Sequence, residues 1–275
     1  MFEEKIFFKI GWLVVWSIIL SIYLFPFIWM IMTGIRDPIE SYNWPPKFIF
    51  IPKFNAFKEL FLIRGILRYL KNSLIISSFA TFLTIIISTF ASYALVHLKV
   101  KGKSALLFSL LFGRVIPPVA LVVPVFLLAS KLRMLDKYLT MIVIYTVFNI
   151  PFAIWLIRSF FNDVPNSIRE AALVDGASEI GVFFKILLPL AIGGIMTTAV
   201  FIFIACWNEF MFALALTRHN ASTLPVMVMQ FRTQYGIEWA NMGATSLIIT
   251  TPVIIFSVLM HKYLIRGLTM GSVRE

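Results

Sequence analysis

ILLPLAIGGIMTTAVFIFIACWN, residues Ile186–Asn208, runs twenty-three positions without a charged side chain. A helix needs about 20 mostly apolar residues to cross roughly 30 Å of hydrocarbon, so this stretch can span a bilayer by itself. The same pattern recurs on both sides of it. Ile10–Ile35, Tyr138–Ile157 and Trp239–His261 carry no Asp, Glu, Lys or Arg, and Asn72–Leu98 has only His97. Ser104–Ser130 is interrupted by Arg114 alone, and the quoted window continues past Glu209 to Thr217. The spacing predicts six transmembrane helices, over residues 10–33, 73–97, 105–130, 138–158, 186–217 and 240–262, in one membrane domain covering 1–275.

Composition agrees. The chain is 60% apolar and 13% charged, whereas a soluble domain carries about 45–50% apolar and about 25% charged residues. One cysteine, Cys206, excludes a disulfide scaffold. Lys and Arg outnumber Asp and Glu by 24 to 13; beside lipid-buried segments this reads as flanking cations, and no nucleic-acid partner is expected. The first window is too long for a signal-peptide core, lacks a small-residue cleavage site and contains Trp12, Trp16 and Trp29, so it is read as an uncleaved helix. Pro26, Pro117, Pro118, Pro124, Pro151 and Pro252 lie in or near the spans, where neighbouring helices can satisfy the freed carbonyls.

The connections are a long first one, Arg36–Lys71, two short ones holding Lys99, Lys101, Lys103 and Lys131, Arg133, Asp136, Lys137, and longer ones at Arg158–Lys185 and Arg218–Glu238. Cations in the short loops balance, so charge alone does not orient the chain. Gly102-Lys103-Ser104 lacks the upstream glycine of a phosphate loop, His97 standing in its place. His97, His219 and His261 lack ligand spacing, so no metal site is expected. Asn220-Ala221-Ser222 fits a glycosylation acceptor but is a common chance triplet. No catalytic constellation lies in any span, and no cofactor is expected on this chain.

The connection after the fourth window reads REAALVDGASEIGVFFKILLPL, Arg169–Leu190. Pro165 suits a first helical turn and Ser167-x-x-Glu170 has capping-box spacing. Ala171 and Ala172 keep one face flat, Gly176 can end the helix left-handed, and a helix restarts at Ser178. Glu170-Ala171-Ala172, Gly176 and Ile186-x-Leu188-Pro189 resemble, without mismatch, the EAA loop of permease subunits of binding-protein-dependent ABC importers. Arg114–Val119, Phe148–Trp155, Trp207–Phe210, Tyr235–Trp239 and Arg266–Leu268 are similar to the carbohydrate-uptake branch, specifically its maltose-permease G-type subunits, from about Asn72 onward.

The resemblance implies an all-α type I importer permease with a cytoplasmic coupling helix and both termini inside a prokaryotic plasma membrane. It further implies an F-type sister permease, an ATPase dimer holding ATP and Mg, and an extracellular sugar-binding protein. The implied ATPase-coupling residues are Glu170, Ala171, Ala172, Asp175 and Gly176. The expected cargo is a di- or oligosaccharide such as maltose or trehalose.

Sugar hydroxyls want amide or carboxylate partners and ring faces want aromatic planes; Asn149, Trp207, Asn208 and Glu209 supply this chemistry along the path, and contact with the sister subunit serves Asn208 and Glu209 equally. Arg114 and Glu209 differ in depth by roughly 15 Å at 1.5 Å per residue, so they are not expected to pair, and Arg114 is read as structural. The loop 221–238 would face the binding protein or serve as a solvated connector, and the tail Arg266–Glu275 would touch the ATPase or anchor the chain. A self-sufficient ion-coupled carrier is the alternative, although such proteins usually show inverted repeats and an ionisable coupling residue at midplane.

Overall fold

A backbone in hydrocarbon must satisfy its N–H and C=O groups internally, so charge-free stretches become helices. The computed structural model describes residues 2–113, 115–234 and 236–269. In chain order the helices are α1 (Phe2–Gly34), α2 (Asn55–Leu62), α3 (Ile66–His97), α4 (Lys103–Gly113), α5 (Pro118–Lys131), α6 (Tyr138–Asn162), α7 (Asn166–Val174), α8 (Glu179–Val182), α9 (Leu188–Trp207), α10 (Met211–Leu216), α11 (Leu224–Met229) and α12 (Trp239–Thr269). Strands β1 (Arg232–Thr233) and β2 (Gly236–Ile237) form one antiparallel pair. Among the described residues, five stretches are long and apolar enough to cross a membrane: Gly11–Gly34, Ile66–His97, Tyr138–Asn162, Glu179–Trp207 and Trp239–Met260.

Two of the six windows are interrupted, each for a local reason. The window 105–130 splits into α4 and α5, about 16 and 21 Å long at 1.5 Å per residue. Pro117 and Pro118 each push the preceding residue out of the helical region, and Pro117 stands extended at ψ 133° as the N-cap of α5. The fifth span begins earlier than its charge-free window and breaks at Asn208–Phe210, where the Glu209 carboxylate takes the N–H groups of Phe212 and Ala213 that open α10. A π-turn at Phe183–Leu187 joins α8 to α9. It precedes Pro189, which has no N–H to return to the carbonyl of Lys185.

The chain forms two compact units. One comprises the residues up to Leu67 with Met227–Thr251; the other comprises Arg68–Val226 with the segment from Pro252. In the first, α1 ends against the start of α12 at a glycine pair. A Cβ on Gly34 would lie 2.8 Å from the Ala244 nitrogen, and one on Gly243 would lie 2.7 Å from the Gly34 nitrogen. The loop after α1 is pinned by Arg36, which donates to the Lys47 carbonyl at 2.6 Å beneath the Phe50 ring, and by the Lys53–Asp37 ion pair at 2.8 Å.

In the second unit, α3 packs on α6 through a row of small side chains, Ala80, Thr84, Ser88 and Ser92. Ser92 reaches across to the Ile154 carbonyl at 3.2 Å and Thr146 to that of Ala80 at 3.4 Å. Thr81, Thr84, Thr197 and Thr198 bond back to their own i−4 carbonyls, so these buried hydroxyls are not left unpaired in an apolar interior. Gly194 of α9 lies flush on the Phe160 ring of α6, with no room for a Cβ. The core is continuous from Ile76 and Ala80 through Met141 and Tyr145 to Ile202 and Phe212.

Candidate coupling and translocation sites

Helix α7 follows α6 after a three-residue turn. Its N-cap is Pro165, at ψ 132°, with no side-chain cap, so the Ser167/Glu170 capping box expected from spacing does not form: the helix has already begun at Asn166. Its C-terminus closes as a Schellman motif. The Gly176 N–H donates to the Leu173 carbonyl at 3.1 Å and the Ala177 N–H to that of Ala172 at 3.0 Å. Gly176 stands at φ +86°, a conformation that side-chain-bearing residues adopt at a cost. Ser178 then caps α8, its Oγ accepting from the Gly181 N–H at 3.1 Å.

The two faces of α7 differ. Glu170, Ala171, Val174, Asp175 and Gly176 are exposed, whereas Ala172 is turned inward. Ala172 packs in a cluster with Tyr93, Ile157, Phe161, Val182, Phe183 and Leu187. Its small side chain therefore serves the seating of α7 on its own protein rather than the face offered outward, which corrects the flat-face reading of the Ala171/Ala172 pair.

A polar girdle surrounds that seat. Glu179 at the start of α8 accepts from the Tyr93 hydroxyl at 2.7 Å, from Arg169 Nε at 3.3 Å, and from a terminal nitrogen of Arg169. His97 Nδ1 lies 3.1 Å from Asn166 Oδ1. One carboxylate thus ties α7, the end of α3 and the start of the fifth span. Sequence reading missed Tyr93 and Arg169, because their partner lies 86 and 10 residues away and no local spacing marks the contact.

The second site is a cavity of about 730 Å³ whose lining includes Tyr145, Phe148, Asn149, Glu209 and Phe212 and both sides of the break between α4 and α5. Asn149 and Glu209 both line it. Glu209 is held by the Tyr145 hydroxyl at 2.8 Å and by the N–H groups of Phe212 at 2.9 Å and Ala213 at 3.2 Å. Asn149 spends its amide on the Tyr145 carbonyl at 2.8 Å and faces Cys206 Sγ at 3.5 Å, so its carbonyl oxygen is the group it can offer a hydroxyl. Trp207 and Asn208 are placed elsewhere. Trp207 is 1% exposed and stacks on Phe203, and Asn208 is exposed, its amide turned back to the Ile204 carbonyl at 3.0 Å.

Tyr145 and Phe148 line the same cavity; their spacing of four and one from Asn149 on one helix was the available signal. The readings made for Arg114, Tyr235 and the tail from Met270 fall outside the described residues. Beyond the cavity, Ala221–Leu224 are buried. Asn72 donates to the carbonyls of Asn220 at 2.8 Å and Ser222 at 2.7 Å, and Ser73 accepts the Leu224 N–H at 2.8 Å. That part of the loop is a fixed element of the core, not a solvated connector.

Residues 80–270, containing both sites, match the family described as binding-protein-dependent transport system inner membrane component. The chain belongs to that family. It is a multi-pass membrane permease, and membership replaces the alternative of a self-sufficient carrier. The permease is 47% identical over 266 residues to a probable ABC transporter permease of Sinorhizobium fredii, covering 97% of this chain and 96% of that one. It is 35% identical over 273 residues to the trehalose/maltose transport system permease of Thermococcus litoralis, covering 95% and 96%. Among solved structures it superposes on a bacterial ABC transporter involved in import of the acidic polysaccharide alginate with a TM-score of 0.78, covering 94% of this chain and 97% of that one; at 21% identity this likeness shows the fold.

Proposed function

We propose that this permease forms half of the translocation path of an ATP-driven sugar importer in a prokaryotic inner membrane. An F-type sister permease supplies the other half, and both termini of this chain lie in the cytoplasm. A partner ATPase dimer holds ATP and Mg and grips α7, and an extracellular binding protein delivers the sugar. The observation that carries the reading is α7 itself: a short helix whose apolar underside is locked to α3, α6 and α8 while Glu170, Ala171, Asp175 and Gly176 face outward. A helix so bound moves with the spans that hold it.

Closure of the ATPase dimer draws the coupling helices together, and because α7 is bonded through Glu179 to α3 and α8, those spans rock with it. Such an equilibrium shifts only through the partner's differential affinity for the two states, so the handle must be stiff, and the Schellman turn at Gly176 and the Arg169–Glu179–Tyr93 girdle supply that stiffness. In the cavity, Asn149 and the aromatic face of Phe148 present a hydroxyl acceptor and an apolar plane, and Glu209 sets the break that opens the fifth span. The named cargo of the T. litoralis relative supports maltose or trehalose. The test is ATPase stimulation of the assembled complex by the binding protein across a sugar panel. Stimulation by maltose or trehalose is the expected result; stimulation by no saccharide overturns the sugar assignment.

A further inference from the structure

The first unit holds a pocket of about 200 Å³ that the transport path does not use, lined by Tyr42, Glu59, Arg64, Glu238, Trp239 and Asn241 among others. Its polar wall is tightly organised. Arg64 Nε donates to Glu59 Oε1 at 2.8 Å, its terminal nitrogen donates to Glu238 Oε2 at 3.0 Å, and Asn241 Nδ2 donates to the same Glu238 oxygen at 2.7 Å. The bond to Glu238 fixes the Asn241 amide. Asn241 is only 4% exposed, and its Oδ1 is buried with no hydrogen-bond partner among the described residues. A buried acceptor without a donor costs about 1–3 kcal/mol, so it calls for an O–H or N–H from outside. On the open side stand two aromatic faces, Trp239 at 46% and Tyr42 at 59% exposure.

We propose that this pocket is a second carbohydrate site that receives one ring of a neutral saccharide. Ring hydroxyls donate to Asn241 Oδ1 and to Glu59, and the apolar ring face lies on Trp239. Two carboxylates against one guanidinium exclude an anionic ligand, and Arg64, already seated between them, opposes a second cation. The volume equals the share of about seven waters, enough for one ring and too little for a folded peptide segment. The proposal rests on the sugar-importer reading. In the topology of that reading the connection between the first two spans is external, so the pocket faces the compartment from which the sugar comes.

The test uses the assembled complex in nanodiscs, alkylated in separate arms with sugar alone and with the binding protein alone. Cys206 is the chain's single cysteine and is buried, so a Tyr42→Cys variant gives one accessible thiol on the pocket rim. Maltose and trehalose are the probes, and alkylation of that thiol is followed by peptide mass. At about ten times the half-saturating concentration, sugar slows alkylation by about tenfold, as mass action requires, and adding Trp239→Leu removes the protection. Unchanged alkylation at saturating sugar, or protection that survives Trp239→Leu, overturns the proposal; so does protection by the binding protein alone, which marks a docking surface. Sugar-stimulated ATPase activity is measured on a second portion of the same preparation after the binding protein is added. If it persists while protection is absent, this site fails and the importer reading stands; if no sugar stimulates hydrolysis, the importer reading itself fails.

Discussion

Asp136 shows what single side chains do in this permease. Its carboxylate accepts backbone N–H groups from Arg218, His219, Asn220 and Ala221 at 2.9–3.1 Å, pinning the loop that leaves the fifth span. Burial pushes its pKa upward, but the four N–H donors outweigh that and hold it down at about 2. A carboxyl with its folded pKa below the unfolded value stabilises above the unfolded pKa, and that contribution is lost as pH falls through the folded one. Here the window runs from about pH 4 to about pH 2. We expect Asp136→Asn to cost about 1–2 kcal/mol at neutral pH, toward the lower end because the loop is open to water. Thermal unfolding in detergent checks this: the gap between wild type and variant should close as pH falls from about 4 to about 2. A gap independent of pH contradicts the cage. Nothing near Asp136 in the sequence betrays it, since its four partners lie 82–85 residues away. Gly176 is the opposite case, because a glycine closing a short amphipathic helix is a local signal with a local cause.

At the scale of elements, the stiffness of α7 depends on how its two ends are held. Gly176 has open space around it, so a substituent there meets backbone strain rather than a clash. Left-handed backbone costs a side-chain-bearing residue about 1–2 kcal/mol, least for Asn. We therefore expect sugar uptake to fall in the order Gly176, Gly176→Asn, Gly176→Ala, Gly176→Val while the complex still assembles, measured as transport and ATP hydrolysis in one proteoliposome preparation. Full transport by Gly176→Val removes the turn from the mechanism. Glu179→Gln should lower sugar moved per ATP about two- to fivefold, the scale set by ~0.5–1 kcal/mol for a partly exposed ion pair, with basal hydrolysis retained. Tyr93→Phe should reproduce part of that loss and add little on top of it. Element boundaries were legible where charge ends a window and obscure where a side chain makes the break. Pro117-Pro118 announces the gap between α4 and α5, but the interruption before α10 depends on Glu209 folding back onto Phe212 and Ala213. Capping-box spacing at Ser167 misled because the helix already begins at Asn166, with Pro165 as its N-cap.

For the whole molecule, composition alone dictates a membrane protein, and the EAA resemblance fixes its family before any coordinate is known. Charge could not orient the chain, because the cations in its short loops balance. Apolar residues of α1 such as Leu13, Leu20 and Ile22 are more than half exposed and require lipid or a partner against them. In the proposed mechanism α7 is a cytoplasmic handle for an ATPase. The most direct measurement places a thiol at Ala171→Cys, exposed on α7 in a chain whose native Cys206 is buried. The expected result is a crosslink to the ATPase subunit whose yield changes when ATP binds, together with no labelling by an impermeant maleimide on intact cells. Labelling from outside, or a fully assembled complex with no crosslink, contradicts the account.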